Sequence, residues 1–293
     1  MFLLTFHFVS VESTLVVNYE TEMTTPANEW APQVGAALFR ERLARGEAVL
    51  GGFLSLGSAQ TAELMAAAGY DWALIDLEHG AGDEKDALAQ MQALATRRCI
   101  TIVRVESSAR QRVHRVLDFG AHGVMFPHID TAEEAAAAAA AMRYPPAGVR
   151  GVAFSNRACA YGANFRPYLE GSAALLTIVQ IESPTAVKNA EAIAAVEGVD
   201  VLFVGPSDLS HSMGILGNFE HPDFDFAVRR IAQSALSRGK HCGILLPSPR
   251  DLTRFFELGY RFLASGSDAV LLNNAARALV QSLQKNLVES QPR

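Results

Sequence analysis

The chain has 293 residues, 49% of them hydrophobic, and a formal net charge of −6 at pH 7, so it can bury a full core as one large domain or two small ones. The mild acidity, without any Lys/Arg cluster, argues against a nucleic-acid-binding surface, and no apolar run is long enough to cross a bilayer. The three cysteines, Cys99, Cys159 and Cys242, form no CxxC pair and no zinc pattern, so we expect reduced thiols in a cytoplasmic protein.

The first 31 residues match neither a helix period nor a strand period. Residues 1–9 are apolar, but no basic residue precedes them and no small-residue cleavage site follows, which argues against a signal peptide. Met23 is an alternative start. We expect residues 1–31 to form a disordered extension, and residues 32–293 to form a single domain.

From residue 33 onward, strand and helix patterns alternate along the chain. The predicted strands are 49–56, 72–77, 100–105, 123–127, 175–181, 200–204, 241–246 and 261–264. The predicted helices are 33–45, 58–68, 83–95, 109–119, 131–143, 183–196, 224–238, 249–258 and 268–284, and the pattern breaks over 144–162. Eight strand–helix units in roughly 250 residues predict a (β/α)₈ TIM barrel. An open doubly wound sheet is the alternative, but no GxGxxG turn follows the first strand.

Two acids follow apolar strands closely. Glu182 ends the run 177–181, and Asp208 follows the run 201–204 and a Gly-Pro-Ser turn. Carboxylates at the C-terminal ends of parallel strands lie where barrel enzymes keep their active sites. Two such oxygen ligands can hold a hard divalent cation and leave positions open for a substrate. The alternative interpretation is that each acid caps the helix after it.

Gln180 has the same strand parity as Glu182, so both side chains are expected to point into the barrel mouth, where Gln180 offers an amide to substrate. Ser207 and Asp208 begin a turn whose backbone N–H groups can bind a carboxylate. His128 follows the fourth strand and is placed at the mouth without an assigned role.

The second and third strands end in a histidine and an arginine. His79 can take a proton near neutral pH, and Asp76 can orient it or make it more basic. The alternative for His79 is a helix-entry histidine between solvated acids. Arg104 lies in an apolar strand and therefore must face an anion, either a structural acid or a substrate carboxylate. We favour the substrate, because the surrounding acids would otherwise leave the site negative.

Four segments, in this order, resemble the HpcH/HpaI aldolase family: residues 72–79 (WALIDLEH), 143–151 (RYPPAGVRG), 180–182 (QIE) and 203–210 (FVGPSDLS). The resemblance runs from about residue 38 to residue 283. The family includes 4-hydroxy-2-oxoheptanedioate aldolase, 2-dehydro-3-deoxyglucarate aldolase and macrophomate synthase.

The resemblance implies a metal-dependent enzyme that reversibly cleaves a 4-hydroxy-2-oxo acid, of sugar-acid or dicarboxylic type, to pyruvate and an aldehyde. The cofactor would be Mg²⁺, Mn²⁺ or Co²⁺, which stabilises the pyruvate enolate. The assembly would be a homohexamer, a trimer of dimers, with the last helix exchanged between subunits. No lysine lies at a strand end where it would form a Schiff base.

The resemblance also implies a role for each motif residue. His79 corresponds to the general base and Arg104 to the group that stabilises the transition state. Glu182 and Asp208 correspond to metal ligands, and Gln180, Ser207 and Asp208 correspond to contacts with the oxo acid. Asp118 corresponds to the acid that makes the histidine more basic.

Three alternatives stay open. An acyl-CoA lyase of the malyl-CoA or citryl-CoA type shares these residues but needs a basic or aromatic groove, and none is evident. Oxaloacetate decarboxylation of the macrophomate-synthase kind forms the same enolate. A non-catalytic scaffold protein would be expected to lack at least one of the residues assigned to the chemistry. All four of these residues are present: His79, Arg104, Glu182 and Asp208. The loop 154–162 is similar to the sugar-acid branch, and we expect it at the barrel mouth, where it would select the aldehyde.

Overall fold

The protein is described by a computed structural model that covers residues 31–290, apart from the side chains of Val288 and Glu289. The predicted disordered extension therefore lies, except for its last residue, outside the described residues. The strands are β1 (Val49–Leu54), β2 (Trp72–Asp76), β3 (Ile100–Arg104), β4 (Gly123–Phe126), β5 (Leu176–Ile181), β6 (Val201–Val204), β7 (His241–Leu245) and β8 (Phe262–Ser267). The helices are α1 (Pro32–Ala44), α2 (Ala59–Ala67), α3 (Glu84–Ala95), α4 (Arg110–Asp118), α5 (Ala132–Met142), α6 (Phe165–Gly171), α7 (Pro184–Ala194), α8 (Pro206–Ser212), α9 (Pro222–Ser237), α10 (Leu252–Glu257) and α11 (Asp268–Glu289).

The eight strands form one closed parallel barrel in sequence order, with β8 pairing back to β1. Every residue of β2 to β6 is buried, as continuous apolar strands of a two-sided parallel sheet require. Aromatic side chains fill the barrel interior, where the rings of Trp72 and Phe262 stack with centroids 4.1 Å apart. The predicted (β/α)₈ fold is therefore confirmed.

Helix α1 closes the N-terminal end of the barrel. Phe39 packs edge-on against Phe262, with ring centroids 6.0 Å apart. Arg40 donates to both carboxylate oxygens of Asp200, at 2.7 and 2.6 Å. A planar guanidinium that binds a carboxylate through two parallel bonds fixes the position and the orientation of the two side chains. Helix α1 is therefore held in place beneath the side chains of the barrel interior.

Polar residues define the starts of several helices. The Thr131 side chain accepts from the backbone N–H of Glu134, and the Glu134 carboxylate accepts from the Thr131 N–H, which forms a capping box at the start of α5. Two helices were not predicted. Helix α8 covers only seven residues and begins with the Gly-Pro-Ser-Asp run that was interpreted as a turn, and α6 lies inside the segment where the pattern broke.

The connection from α5 to β5 lies at the N-terminal end of the barrel, because every helix runs back from the C-terminal ends of the strands. The Ala158 N–H donates to the Asp118 carbonyl at 3.0 Å, and Arg157 donates to the Phe119 carbonyl at 2.6 Å. The loop 154–162 therefore packs on the end of α4. The expectation that this loop lies at the mouth of its own barrel is wrong.

Helix α11 leaves the barrel with an apolar face uncovered. Leu272, Leu279, Leu283 and Leu287 lie on one face at helical spacing and are 63%, 62%, 54% and 67% exposed. Between α2 and α10, over the outer surface of β8 and β1, lies a groove of about 430 Å³ whose apolar lining includes Leu50. In residues 31–290, no helix combines the length and the apolar character needed to cross a membrane.

Candidate active site

A cavity of about 450 Å³ opens at the C-terminal ends of the strands. Its lining includes seven of the eight residues that the sequence assigned to a site: Asp76, His79, Arg104, Gln180, Glu182, Ser207 and Asp208. Phe53 and Phe203 contribute aromatic surface to the same cavity. The side chains come from β2, β3 and β5, from the residues directly after β2 and β5, and from the start of α8, so the barrel brings together residues that are distant in sequence.

Asp76 and Arg104 form the fixed part of the site. Arg104 donates from Nε and Nη2 to the two oxygens of Asp76 at 3.0 and 2.7 Å, and both side chains are buried. Burial alone would raise the pKa of Asp76, but the hydrogen bonds and charge of Arg104 hold it below the ordinary value. Arg104 thus faces a structural acid, although its third nitrogen, Nη1, is not bonded to Asp76.

The turn after β2 presents His79. The Oδ1 atom of Asp76 accepts the backbone N–H groups of Glu78 and His79 at 3.1 and 3.2 Å, which is the local turn that a short acidic side chain favours. Gly80 is required here, because a Cβ at this position would lie 2.1 Å from the Asp76 carbonyl oxygen. Asp76 therefore orients the backbone of His79, as one of the two predicted roles requires, while its carboxylate makes its side-chain contact with Arg104.

Glu78 lies between three cationic or ionisable groups. Its Oε2 is 3.1 Å from Arg104 Nη1 and 3.8 Å from His79 Nε2, and its Oε1 is 3.6 Å from His128 Nε2. The sequence reasoning did not assign Glu78. The available signal was an acid directly before the proposed base, but a side chain in a turn has no strand parity that predicts its direction.

Glu182 is buried and held from two sides. Gln180 Nε2 donates to its Oε1 at 2.8 Å, and the backbone N–H of His128 donates to its Oε2 at 3.1 Å. His128 adopts a left-handed backbone with φ of 53°, an uncommon conformation for a residue with a bulky side chain. His128 follows β4, and its backbone N–H orients Glu182.

Glycine at position 205 makes room for Glu182. A Cβ built on Gly205 would lie 2.0 Å from Glu182 Oε1, so the end of β6 passes directly against the carboxylate. Ser207 and Asp208 follow on the exposed first turn of α8. Two carboxylates from neighbouring strands thereby face the same cavity.

The electrostatics set Glu182 apart from the other acids. Burial, together with the nearby charge of Asp208, raises the pKa of Glu182 to about 7 against the lowering effect of the hydrogen bond from His128. A buried carboxylate beside another acid favours the protonated form unless a cation accompanies it. No cluster of three or more His, Cys, Asp or Glu side chains at ligand spacing occurs within residues 31–290.

Asp118 is the one assigned residue outside the cavity. It ends α4 at the N-terminal side of the barrel, and its Oδ1 accepts from Arg150 Nη2 at 2.9 Å. Arg150 is fully buried, and its guanidinium also contacts the rings of Tyr144 and Tyr168. A single chain therefore does not bring Asp118 to His79.

Comparison with known proteins identifies the family. Residues 50–275 match the family described as HpcH/HpaI aldolase/citrate lyase. A 5-keto-4-deoxy-D-glucarate aldolase from Salmonella arizonae is 39% identical over 247 residues, which cover 84% of this chain and 96% of that protein. The same activity is named for a Klebsiella pneumoniae relative that is 38% identical over 247 residues, covering 84% of this chain and 96% of that protein.

Solved structures agree with this assignment. A HpcH/HpaI aldolase/citrate lyase family protein from Burkholderia cenocepacia has a TM-score of 0.80 at 39% identity, covering 85% of this chain and 99% of that one. The citrate synthase SbnG follows at a TM-score of 0.75 and 28% identity, covering 84% and 98%. The chain belongs to the HpcH/HpaI aldolase/citrate lyase family and is a carbon–carbon lyase of the aldolase type.

Proposed function

We propose that the protein is a divalent-metal-dependent pyruvate aldolase that cleaves a 4-hydroxy-2-oxo acid to pyruvate and an aldehyde. The observation that carries this proposal is that His79, Arg104, Glu182 and Asp208 line one cavity at the C-terminal end of the barrel. This arrangement provides a base, a fixed cation and two hard oxygen donors within the volume of a small substrate.

The donor set fits Mg²⁺, Mn²⁺ or Co²⁺. Glu182 is buried beside Asp208 with a pKa raised to about 7 by burial, and a divalent cation would offset the charge that makes this carboxylate costly to ionise. Two carboxylate ligands leave coordination positions for a 2-oxo acid and water. When bound there, the ion would supply Lewis acidity to the oxo acid.

The remaining steps belong to side chains of the protein. Gln180 and the N–H groups at Ser207 and Asp208 would contact the oxo acid. Arg104, fixed by Asp76, would place its guanidinium charge near the negative charge that develops. His79 would accept the proton of the 4-hydroxyl group while the C3–C4 bond breaks. The electron pair of that bond forms the enolate of pyruvate, the hydroxyl carbon becomes the aldehyde carbonyl, and protonation of the enolate at C3 completes pyruvate.

The substrate class follows from the relatives named 5-keto-4-deoxy-D-glucarate aldolase, which are 38% to 39% identical to this chain. Ser55, Ser207 and Ser267 also line the cavity, and hydroxyl-bearing residues suit a polyhydroxy acid better than an apolar aldehyde. We therefore infer a sugar-derived 4-hydroxy-2-oxo acid as substrate.

The assembly we propose is a homohexamer in which α11 packs on a second copy. Its exposed leucine face and the apolar groove beside Leu50 are complementary surfaces that one chain leaves uncovered. Exposed apolar surface of this kind marks an interaction site. If α11 of each copy packed into the groove of the other copy, the leucine face and the groove would both be buried.

A second copy is also the route by which Asp118 would reach His79. Val152, Phe154 and Tyr161 belong to the same connection as Ala158, which is bonded to Asp118, and are 60%, 45% and 71% exposed, so this end of the barrel offers an apolar contact surface. Mixing Asp118→Asn and His79→Ala subunits tests this arrangement, because each mixed pair of neighbours would contain one intact composite site. Recovery of cleavage on mixing supports it, and two inactive variants that stay inactive when co-refolded contradict it.

The function itself is tested by measuring pyruvate release from 5-keto-4-deoxy-D-glucarate, 4-hydroxy-2-oxoheptanedioate, oxaloacetate and malyl-CoA in the presence of Mn²⁺. We expect the highest kcat/KM for the sugar-derived acid. Preferred turnover of malyl-CoA would overturn the proposal in favour of an acyl-CoA lyase.

A further inference from the structure

Glu78 is a shielded carboxylate that the mechanism above leaves without a role. Its side chain is 12% exposed and lies between Arg104 on one side and two histidines on the other, and two of these neighbours, Arg104 and His79, line the cavity. An acid that is nearly withdrawn from water but keeps three cationic or ionisable neighbours is expected to be a fixed charge.

The position of Glu78 is determined by Arg104. Two nitrogens of Arg104 are bonded to Asp76 at 3.0 and 2.7 Å, which leaves Nη1 facing Glu78 Oε2 at 3.1 Å. Asp76 also accepts the backbone N–H of Glu78. The Glu78 carboxylate is therefore restrained through its backbone and through one oxygen, in a geometry that Arg104 and Asp76 define.

The imidazole of His79 lies beside Glu78. The imidazole is 65% exposed, and within residues 31–290 the side-chain group at ion-pair distance from its ring is Glu78, 3.8 Å from Nε2. An exposed side chain populates several rotamers, whereas a charge at a fixed position favours the rotamer that faces it. In this orientation Nε2 faces Glu78 and Nδ1 lies on the opposite side of the ring from that contact.

His128 restrains the second oxygen of Glu78. Its Nε2 is 3.6 Å from Glu78 Oε1, while its backbone N–H is bonded to Glu182. The φ of 53° at His128 is a strained conformation, and strain of this kind is retained where the surroundings hold a functional geometry. Each oxygen of Glu78 thus has an imidazole beside it.

We propose that Glu78 is a positioning residue for His79 in aldol cleavage, a role that rests on the proposed function. Glu78 holds the ring so that Nδ1 accepts the 4-hydroxyl proton, and its charge stabilises the imidazolium that forms. Glu78 itself takes no proton: the proton moves from the hydroxyl to His79, and the C3–C4 electron pair passes to the enolate. Within one chain Glu78 is the acid beside His79, whereas Asp118 would reach the same imidazole from a second copy.

The experiment is a double-mutant cycle on pyruvate release, with Glu78→Gln, His79→Ala and the two combined. Glu78→Gln keeps the shape of the side chain and removes the charge, so we expect kcat for cleavage to fall about 10-fold to 100-fold with KM changed by less than about 3-fold. The combined variant should be no slower than His79→Ala, because a positioning residue has no effect once its target is absent.

Oxaloacetate decarboxylation provides a second readout, because it forms the same enolate without deprotonating a hydroxyl group. Glu78→Gln should slow it by less than about 3-fold. The matched control is Glu84→Gln, which removes a carboxylate that pairs with Arg115 at 3.4 Å and does not line the cavity, and it should leave cleavage at the wild-type rate.

Three results would overturn the inference: a wild-type cleavage rate in Glu78→Gln, a combined variant whose losses multiply, or equal losses in cleavage and decarboxylation. Glu78→Asp, which withdraws the carboxylate by one methylene, replaces Glu78→Gln in every arm if the amide variant does not fold. Failure of the proposed function is distinguishable, because the wild-type protein would then release no pyruvate from any 4-hydroxy-2-oxo acid.

Discussion

Gly205→Ala tests the role of Glu182 without touching any ionisable group. The backbone at Gly205 has φ of −88° and ψ of 95°, which alanine adopts without strain. The added Cβ would lie 2.0 Å from Glu182 Oε1 and 2.8 Å from Cδ, whereas ordinary contact begins at 3.4 Å. The carboxylate must therefore move by about 1.4 Å, the difference between the ordinary contact and the 2.0 Å approach.

A shift of that size is several times the roughly 0.2 Å that metal–ligand distances tolerate. We expect the affinity for Mn²⁺ to weaken by about 10-fold to 100-fold, or about 1.4 to 2.7 kcal/mol. Calorimetric titration of the metal-free protein with Mn²⁺ measures this directly. Gly151→Ala is the control, because its added Cβ would meet only His114 Nδ1 at 3.7 Å.

An unchanged Mn²⁺ affinity in Gly205→Ala, together with wild-type cleavage, would refute this reasoning. It would mean either that the ion binds away from Glu182 or that the end of β6 yields without moving the carboxylate. A crystal structure of the variant separates these two cases, and only the first contradicts the proposed site.

Three further predictions follow from the same geometry. Arg104→Lys keeps the charge but loses the two bonds to Asp76, so kcat should fall by on the order of 100-fold or more, and a wild-type rate would return Arg104 to a purely structural ion pair. Because burial raises the pKa of Glu182 to about 7, its carboxylate is protonated below that pH and cannot bind the metal. The affinity for Mn²⁺ should therefore rise with pH between 6 and 8 and level off above pH 8. An affinity that does not change with pH would count against Glu182 as a ligand. Leu279→Glu combined with Leu283→Glu, on the exposed face of α11, should lower the mass measured by sedimentation, and an unchanged mass would contradict the proposed exchange.

The barrel was predictable from the sequence because its signal repeats. Eight apolar runs of four to six residues, separated by helical periods, have one common solution in a chain of this length. The strand ends were predictable for the same reason: Gln180 and Glu182 share a parity, so one side chain in the cavity implies the other. The short α8 was missed because its seven residues, which begin with Pro206, are too few to show a helical period.

The site residues that lie in turns after the strands were predicted less completely than those in the strands. Glu78 stands between Asp76 and His79 in the sequence, yet its direction depends on Arg104 Nη1, a contact from another strand. The hydrogen bond from the His128 backbone to Glu182 depends on a left-handed conformation at His128, which the pattern of residue types does not predict.

Asp118 and the loop 154–162 were expected near His79. In a β/α barrel the last residue of a helix and an α–β connection lie at the N-terminal end. The direction of α4 was therefore a usable signal that the sequence reasoning did not apply.

The central claim is that pyruvate forms by metal-assisted cleavage at the Glu182–Asp208 pair. It is tested most directly by pyruvate release from 5-keto-4-deoxy-D-glucarate by chelator-treated protein, before and after addition of Mn²⁺. The account predicts no release from the metal-free protein and recovery of turnover on addition of the ion, because both proposed ligands are hard oxygen donors. Full turnover by the metal-free protein would contradict it.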